Sequence, residues 1–122
     1  MNLEIRRVLY HGINVFVTIP RKIREIYGWS SQTMIVLVPE GKHAYRIHGY
    51  QTVTEAIEGA KHSFPENSYF FVKPIPKPVI LRIRVPVCLQ KKIDWTNPAY
   101  VIIDYSNPNY IFIKEHGAND RD

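Results

Sequence analysis

The chain has 122 residues, enough for one compact domain or for two units that share a core because each is too small to hold together separately. Its balance of 45% hydrophobic and 22% charged residues is that of a globular protein rather than a disordered one. The net charge of +5 favours an anionic partner, and the excess sits in the first third, where residues 1–48 hold seven Lys/Arg against three Asp/Glu.

In chain order, Asn2 to Tyr10 reads as an extended segment broken by His11-Gly12. Val15-Phe16-Val17-Thr18-Ile19 is rich in β-branched and aromatic residues and predicts a strand, which Pro20 ends by setting up the first turn of a helix. That helix is expected over Arg21 to Tyr27, with Ile23, Ile26 and Tyr27 as its apolar stripe and Gly28 as its stop. Two strands around Ile35-Val36-Leu37 and Ile47 flank a turn at Glu40-Gly41-Lys42-His43. Thr52-Val53-Thr54-Glu55 has the form of a capping box and predicts a connector helix to about His62, packed through Val53, Ile57, Ala60 and Phe64.

From Tyr69 the same order returns. Ile19-Pro20 with Trp29 nine residues after the proline is matched by Val85-Pro86 with Trp95, an offset of 66 residues. At that offset Val17 falls on Ile83, Ile23 on Leu89, Ile35-Val36-Leu37 on Val101-Ile102-Ile103 and Ile47 on Ile113. Ser106-Asn107-Pro108-Asn109 stands opposite the turn at residues 40–43. The chain therefore divides into a first β-β-α-β-β repeat (1–48), a connector with a short helix (49–67), a second repeat (68–116) and a polar tail (117–122). In the second helix, Val87 to Ile93, Leu89 and Ile93 form the inner pair, Lys92 stands in place of Ile26, and Asp94 in place of Gly28.

The run from Val15 to Trp29, Val-Phe-Val-Thr-Ile-Pro-Arg-Lys-Ile-Arg-Glu-Ile-Tyr-Gly-Trp, closely resembles the SpoVT/AbrB family pattern. There, a strand ending in Val-Thr-Ile-Pro leads into a basic helix and a glycine. The resemblance implies a mainly β fold with short helices, a swapped-hairpin β-barrel in which two β-β-α-β-β units exchange hairpins. Because both units lie in one chain here, it implies an intrachain pseudo-dimer, open to further homodimerisation. It also implies a DNA-binding transcriptional regulator that contacts duplex DNA.

The residues expected to carry that contact are basic. Arg21 and Lys22 sit in the first turn of a helix, where the positive end of the dipole disfavours cations by roughly 0.3–1 kcal/mol each, so a bound phosphate is one reason for their placement. Arg6, Arg7 and His11 lie on or just after the first strand, the two arginines pointing to opposite faces by alternation. Arg24 is a third helix cation. In the second repeat, Arg82 and Arg84 share one strand face, with Lys73 and Lys77 nearby, while Lys91 and Lys92 read as an exposed helix face.

Trp29 and Trp95 are expected in packing roles, and His43 and His48, five apart, make a poor metal pair. No nucleophile triad, phosphate-binding glycine loop or framed carboxylate pair occurs, so no enzyme, cofactor or metal is expected. Cys88 is the only cysteine and reads as a small buried apolar residue in a chain without disulfides. The longest apolar runs, Met34 to Val38 and Tyr100 to Ile103, are far below the ~20 residues that span a bilayer, and the amino terminus has no signal-peptide core. A cytoplasmic protein is expected. The other classes that fit are a protein-interaction module of the MazE-antitoxin kind, docking through residues 49–67, and an RNA-binding or structural barrel.

Overall fold

The computed structural model describes residues 2–30, 32–76 and 81–116. Lys77 and the tail at 117–122 lie outside the described residues. The elements are β1 (Leu3–Arg7), β2 (Leu9–His11), β3 (Asn14–Ile19), α1 (Arg21–Tyr27), β4 (Met34–Pro39), β5 (Ala44–Tyr50), α2 (Val53–Ser63), β6 (Phe70–Val72), β7 (Ile75–Pro76), β8 (Leu81–Arg84), α3 (Val87–Lys92), β9 (Tyr100–Asp104) and β10 (Ile111–Glu115). The described residues are mainly β with three short helices. No helix among the described residues is long and apolar enough to cross a membrane.

Two antiparallel sheets form the framework, one ordered β1-β9-β10-β5-β4-β6 and the other β2-β3-β8-β7. Their registers repeat at the offset read from the sequence. Val17 pairs with Ile83 and Arg46 with Phe112, each a residue with its own counterpart 66 positions on. The first strand of each half pairs across to the other half in the same register: Ile5 faces Ile102 and Phe71 faces Val36. Each half thus completes the sheet of the other.

Among the described residues the strands form two open sheets and no closed barrel. The reason lies at two equivalent positions, Val8 and Pro74. Both are buried, and each separates a strand of the larger sheet from one of the smaller. Val8 gives its N–H to the Ala99 carbonyl, outside the strand ladders. Pro74 has no N–H to give. The expected single extended segment Asn2 to Tyr10 is accordingly broken into β1 and β2, whereas the extended segment that opens the second repeat at Tyr69 is the single strand β6, with Pro74 between it and β7.

One core takes residues from both halves, with Val17, Ile19, Ile23, Ile35, Leu37 and Ile47 packed among Leu81, Ile83, Leu89, Ile93, Ile103 and Ile113. Trp29 and Trp95 are each 8% exposed and belong to this core, as their positions suggested. Glu115, 2% exposed, is buried without being stranded: it accepts from the Thr96 N–H at 2.7 Å and faces His43 Nδ1 at 2.8 Å. That carboxylate joins the turn of the first half to the last strand of the second.

Helix α1 has the expected bounds. Gly28 ends it in the left-handed region (φ 69°), and its N–H caps the Glu25 carbonyl. Asp94, at the same place after α3, also takes a positive φ of 51°. The apolar stripe differs from expectation, because Ile23 is fully buried while Ile26 is 63% exposed. A helix of seven residues shows the core barely one turn, and Ile26 falls outside it.

The connector helix α2 begins as expected, with Thr52 Oγ1 accepting from the Glu55 N–H at 3.1 Å. It packs through Ala56 and Ala60 on Val36 and Val38, with Phe64 alongside, while Val53 and Ile57 stay about half exposed. Small residues let the helix lie close to the sheet, and Gly59 takes the Tyr50 ring where a Cβ would collide with it. Cys88 is exposed rather than buried. It occupies the position of Lys22, exposed in the first half.

Candidate nucleic-acid interface

The smaller sheet has one face in the core and one toward solvent. Directly opposed residues of antiparallel strands share a face. His11 opposes Asn14; Leu9, Phe16 and Arg84 form a row; Thr18, Arg82 and Ile75 form another. Since Val15, Val17, Ile19, Leu81 and Ile83 fill the inner face, these rows make the outer one. Two strands of the first half and two of the second therefore bring His11, Arg82 and Arg84 together on a single open surface.

Phe16 organises that surface. The His11 ring meets it edge-on at 6.0 Å, and the Arg82 guanidinium carbon lies 5.8 Å from its ring centroid. Phe16 and Arg82 are themselves counterparts at the 66-residue offset. Arg82 Nε is buried with no hydrogen-bond partner, so the protein leaves that charged donor unsatisfied. Among the described residues, neither Arg82 nor Arg84 has a carboxylate within 4.0 Å.

The other predicted cations lie elsewhere. Arg6 and Lys22 converge on Glu4, at 2.8 Å and 3.3 Å, which brings the start of α1 against β1. Arg7 is exposed on the opposite side of β1, since Arg6 opposes Val101 and Arg7 opposes Tyr100. Arg21 pairs with Glu25 one turn along the helix at 2.8 Å. Arg24 lies in the last turn of α1, where a cation suits the dipole. Carboxylates thus accompany the two helix-start cations that sequence alone left without one. The Arg21–Glu25 pair is exposed on both sides and contributes only about 0.2–1 kcal/mol, so a phosphate oxygen can replace that carboxylate at small cost, whereas the Glu4 side chain is only 19% exposed.

Sequence reasoning named the cations but missed the aromatic and polar side chains set among them. Phe16, Asn14 and Phe71 line a cleft of about 460 Å³ together with Lys73, Ile75 and Arg84. Strand alternation was the available signal: Phe71, Lys73 and Ile75 are two apart and share one side of the β6–β7 segment. Away from this face, burial and then the Arg46 guanidinium push His48 down to about 4, so the imidazole is neutral at physiological pH. His48 makes tilted ring contacts with Phe64 and Tyr110, with centroids at 4.9 and 5.2 Å. The described residues contain no group of three or more His, Cys, Asp or Glu side chains placed to hold a metal ion.

Comparison of the chain with protein-family models, with curated proteins and with solved structures finds no match.

Proposed function

We infer that the protein is an AbrB-like DNA-binding regulator whose two repeats form an intrachain pseudo-dimer with exchanged strands. The observation that carries this reading is the outer face of the smaller sheet, where His11, Arg82 and Arg84 meet on strands from both halves and neither arginine has a carboxylate partner among the described residues. Phosphates are the anions that a flat array of guanidinium groups suits best, through paired N–H donors. Arg6, Arg7, Arg21, Lys22 and Arg24 are further cations of the first half, apart from this cluster, that the reading also assigns to DNA contact. The repeated registers at 66 residues support the pseudo-dimer, as does the family signature from Val15 to Trp29. The activity is binding, with no catalytic step and no cofactor.

Gel-shift titration of the full chain against a broad duplex library at two salt concentrations tests the reading. Affinity should fall with a log–log slope of about −0.9 for each phosphate neutralised. Undetectable duplex binding at low salt rejects it.

A second reading, a protein-interaction module, rests on a different observation. The outer face of β4 is covered by α2, but the equivalent face of β9 has no such cover among the described residues, and Leu3, Ile5 and Tyr100 are 44%, 54% and 43% exposed there. If that reading is correct, light scattering of the chain or a pull-down in the absence of DNA gives a mass above the monomer or a nuclease-resistant partner. A monomer with only DNA-dependent partners removes it.

A further inference from the structure

We propose that the cleft between the β6–β7 segment and the outer face of β3 and β8 binds a nucleotide, its base against Phe71 and its phosphate between Lys73 and Arg84. The proposal rests on the reading of the chain as a nucleic-acid binder, but it adds a site for an unpaired base that duplex binding does not need.

The cleft holds about 460 Å³, within the ~300–1,000 Å³ typical of small-ligand sites. Its lining is divided in character. Phe16, Phe71 and Ile75 supply an apolar body, and Asn14, Lys73 and Arg84 a polar edge without a carboxylate. A ligand that matches both parts has a flat apolar portion and an anionic group, which are the two parts of a nucleotide. Asn14 offers both a donor and an acceptor, as the edge of a base requires.

Phe71 is 45% exposed, although its neighbours Phe70 and Val72 pack against the core. Tyr69 makes a T-shaped contact with its ring at 5.5 Å and 85°, and the rest of the ring is open to solvent to the extent of that exposure. The fold does not demand an aromatic residue there. At the equivalent places in the other half stand Ile5 for Phe71, Arg82 for Phe16, Arg7 for Lys73 and Thr18 for Arg84. Two phenyl rings beside two cations occur on this side alone, although the backbone repeats. Base–aromatic stacking tolerates any base, so the site has no need of a sequence.

The nucleotide can belong to an unpaired stretch of a strand or be free in solution. Fluorescence anisotropy of the full chain with labelled single-stranded oligothymidylate, with an abasic strand of equal length, and with thymidine monophosphate as competitor separates the two. The base-bearing strand should bind more tightly than the abasic strand by roughly fivefold to hundredfold. Phe71→Ala should remove that difference, Phe71→Trp should keep it, and Lys73→Gln with Arg84→Gln should weaken both strands. Competition by the mononucleotide identifies a free ligand; its absence, with Phe71-dependent strand binding, identifies an unpaired strand. Equal binding of the two strands, or a Phe71→Ala chain that discriminates as the parent does, overturns the proposal. Duplex titration of the same Phe71→Ala chain keeps the two readings apart, because duplex affinity should not change.

Discussion

Val17 and Ile83 face each other across the β3–β8 pairing, both fully buried, and each is the other's counterpart in the repeat. The two halves therefore meet at equivalent residues inside one core, and they are expected to unfold together. Ile83→Ala should lower the unfolding free energy by about 2–5 kcal/mol, with a smaller loss for Val17→Ala, in one cooperative transition. Urea denaturation followed by tryptophan fluorescence and far-UV circular dichroism checks this. Two separated transitions would mean that the halves hold independent cores.

Gly49 lies against the Trp29 indole so closely that a Cβ would overlap Nε1 and the ring carbons beside it. Trp29 is held in the core between Tyr27, at 5.0 Å, and this strand, so it has little room to retreat. Gly49→Ala should cost about 1–3 kcal/mol through overpacking and shift the tryptophan emission. An alanine variant with parental stability and emission would show that the indole yields freely.

The same repeat explains what is legible in the sequence and what is not. The offset of 66 residues, the span of α1 and the burial of both tryptophans can be read because each depends on local signals: a proline start, a glycine stop and apolar alternation. Helical spacing alone places Ile26 in the core, although Lys92 at the equivalent position already marks that side as exposed. Cys88 misleads in the same way, its counterpart being Lys22. In α2, Ala60 and Phe64 pack as expected, but Val53 and Ile57 do not, because the helix buries Ala56 with Ala60 to approach the sheet closely. The outer-face cluster needs the register of β3 with β8, a long-range pairing that no local pattern encodes.

His48 gives the fold a pH dependence with a definite sign. Its imidazole titrates near 4 in the folded protein because burial, and then Arg46, oppose the charge, against about 6.5 in an unfolded chain. Between those values the unfolded state binds a proton that the native state refuses, so stability contributed by neutral His48 is lost as pH falls from about 6.5 towards 4. His48→Gln should flatten this part of the profile, read as the difference in Tm between pH 7 and pH 4.5. A variant with the same pH dependence as the parent would place the effect on other groups.

Charge reversal should rank the basic clusters. Arg82→Glu with Arg84→Glu removes two cations from the shared outer face, and Arg21→Glu with Lys22→Glu removes two from the start of α1. Lys91 and Lys92 lie on α3, outside both clusters, and Lys92 donates to the Asn67 carbonyl at 2.6 Å. Each of the first two pairs should weaken duplex binding more than Lys91→Glu with Lys92→Glu. The salt slope should also become shallower by about 0.9 for every phosphate that the variant no longer neutralises. The opposite ranking in gel shifts would move the DNA surface to α3.

Glu4 supplies the most discriminating test of the first-half surface, because it holds Arg6 and Lys22 together. If those cations serve only to neutralise Glu4, removing its charge leaves them idle, and the sole effect is on stability, with duplex affinity unchanged. If they contact phosphate, Glu4 competes with the DNA for both. Glu4→Gln then releases two cations at once and removes a repelling charge. Duplex affinity should rise severalfold at low salt, and the gain should shrink as salt increases, since screening over about 10 Å at 0.1 M weakens the repulsion that was removed. Unchanged or weaker affinity in Glu4→Gln would exclude Arg6 and Lys22 from the DNA contact and leave the outer face of the smaller sheet to carry it.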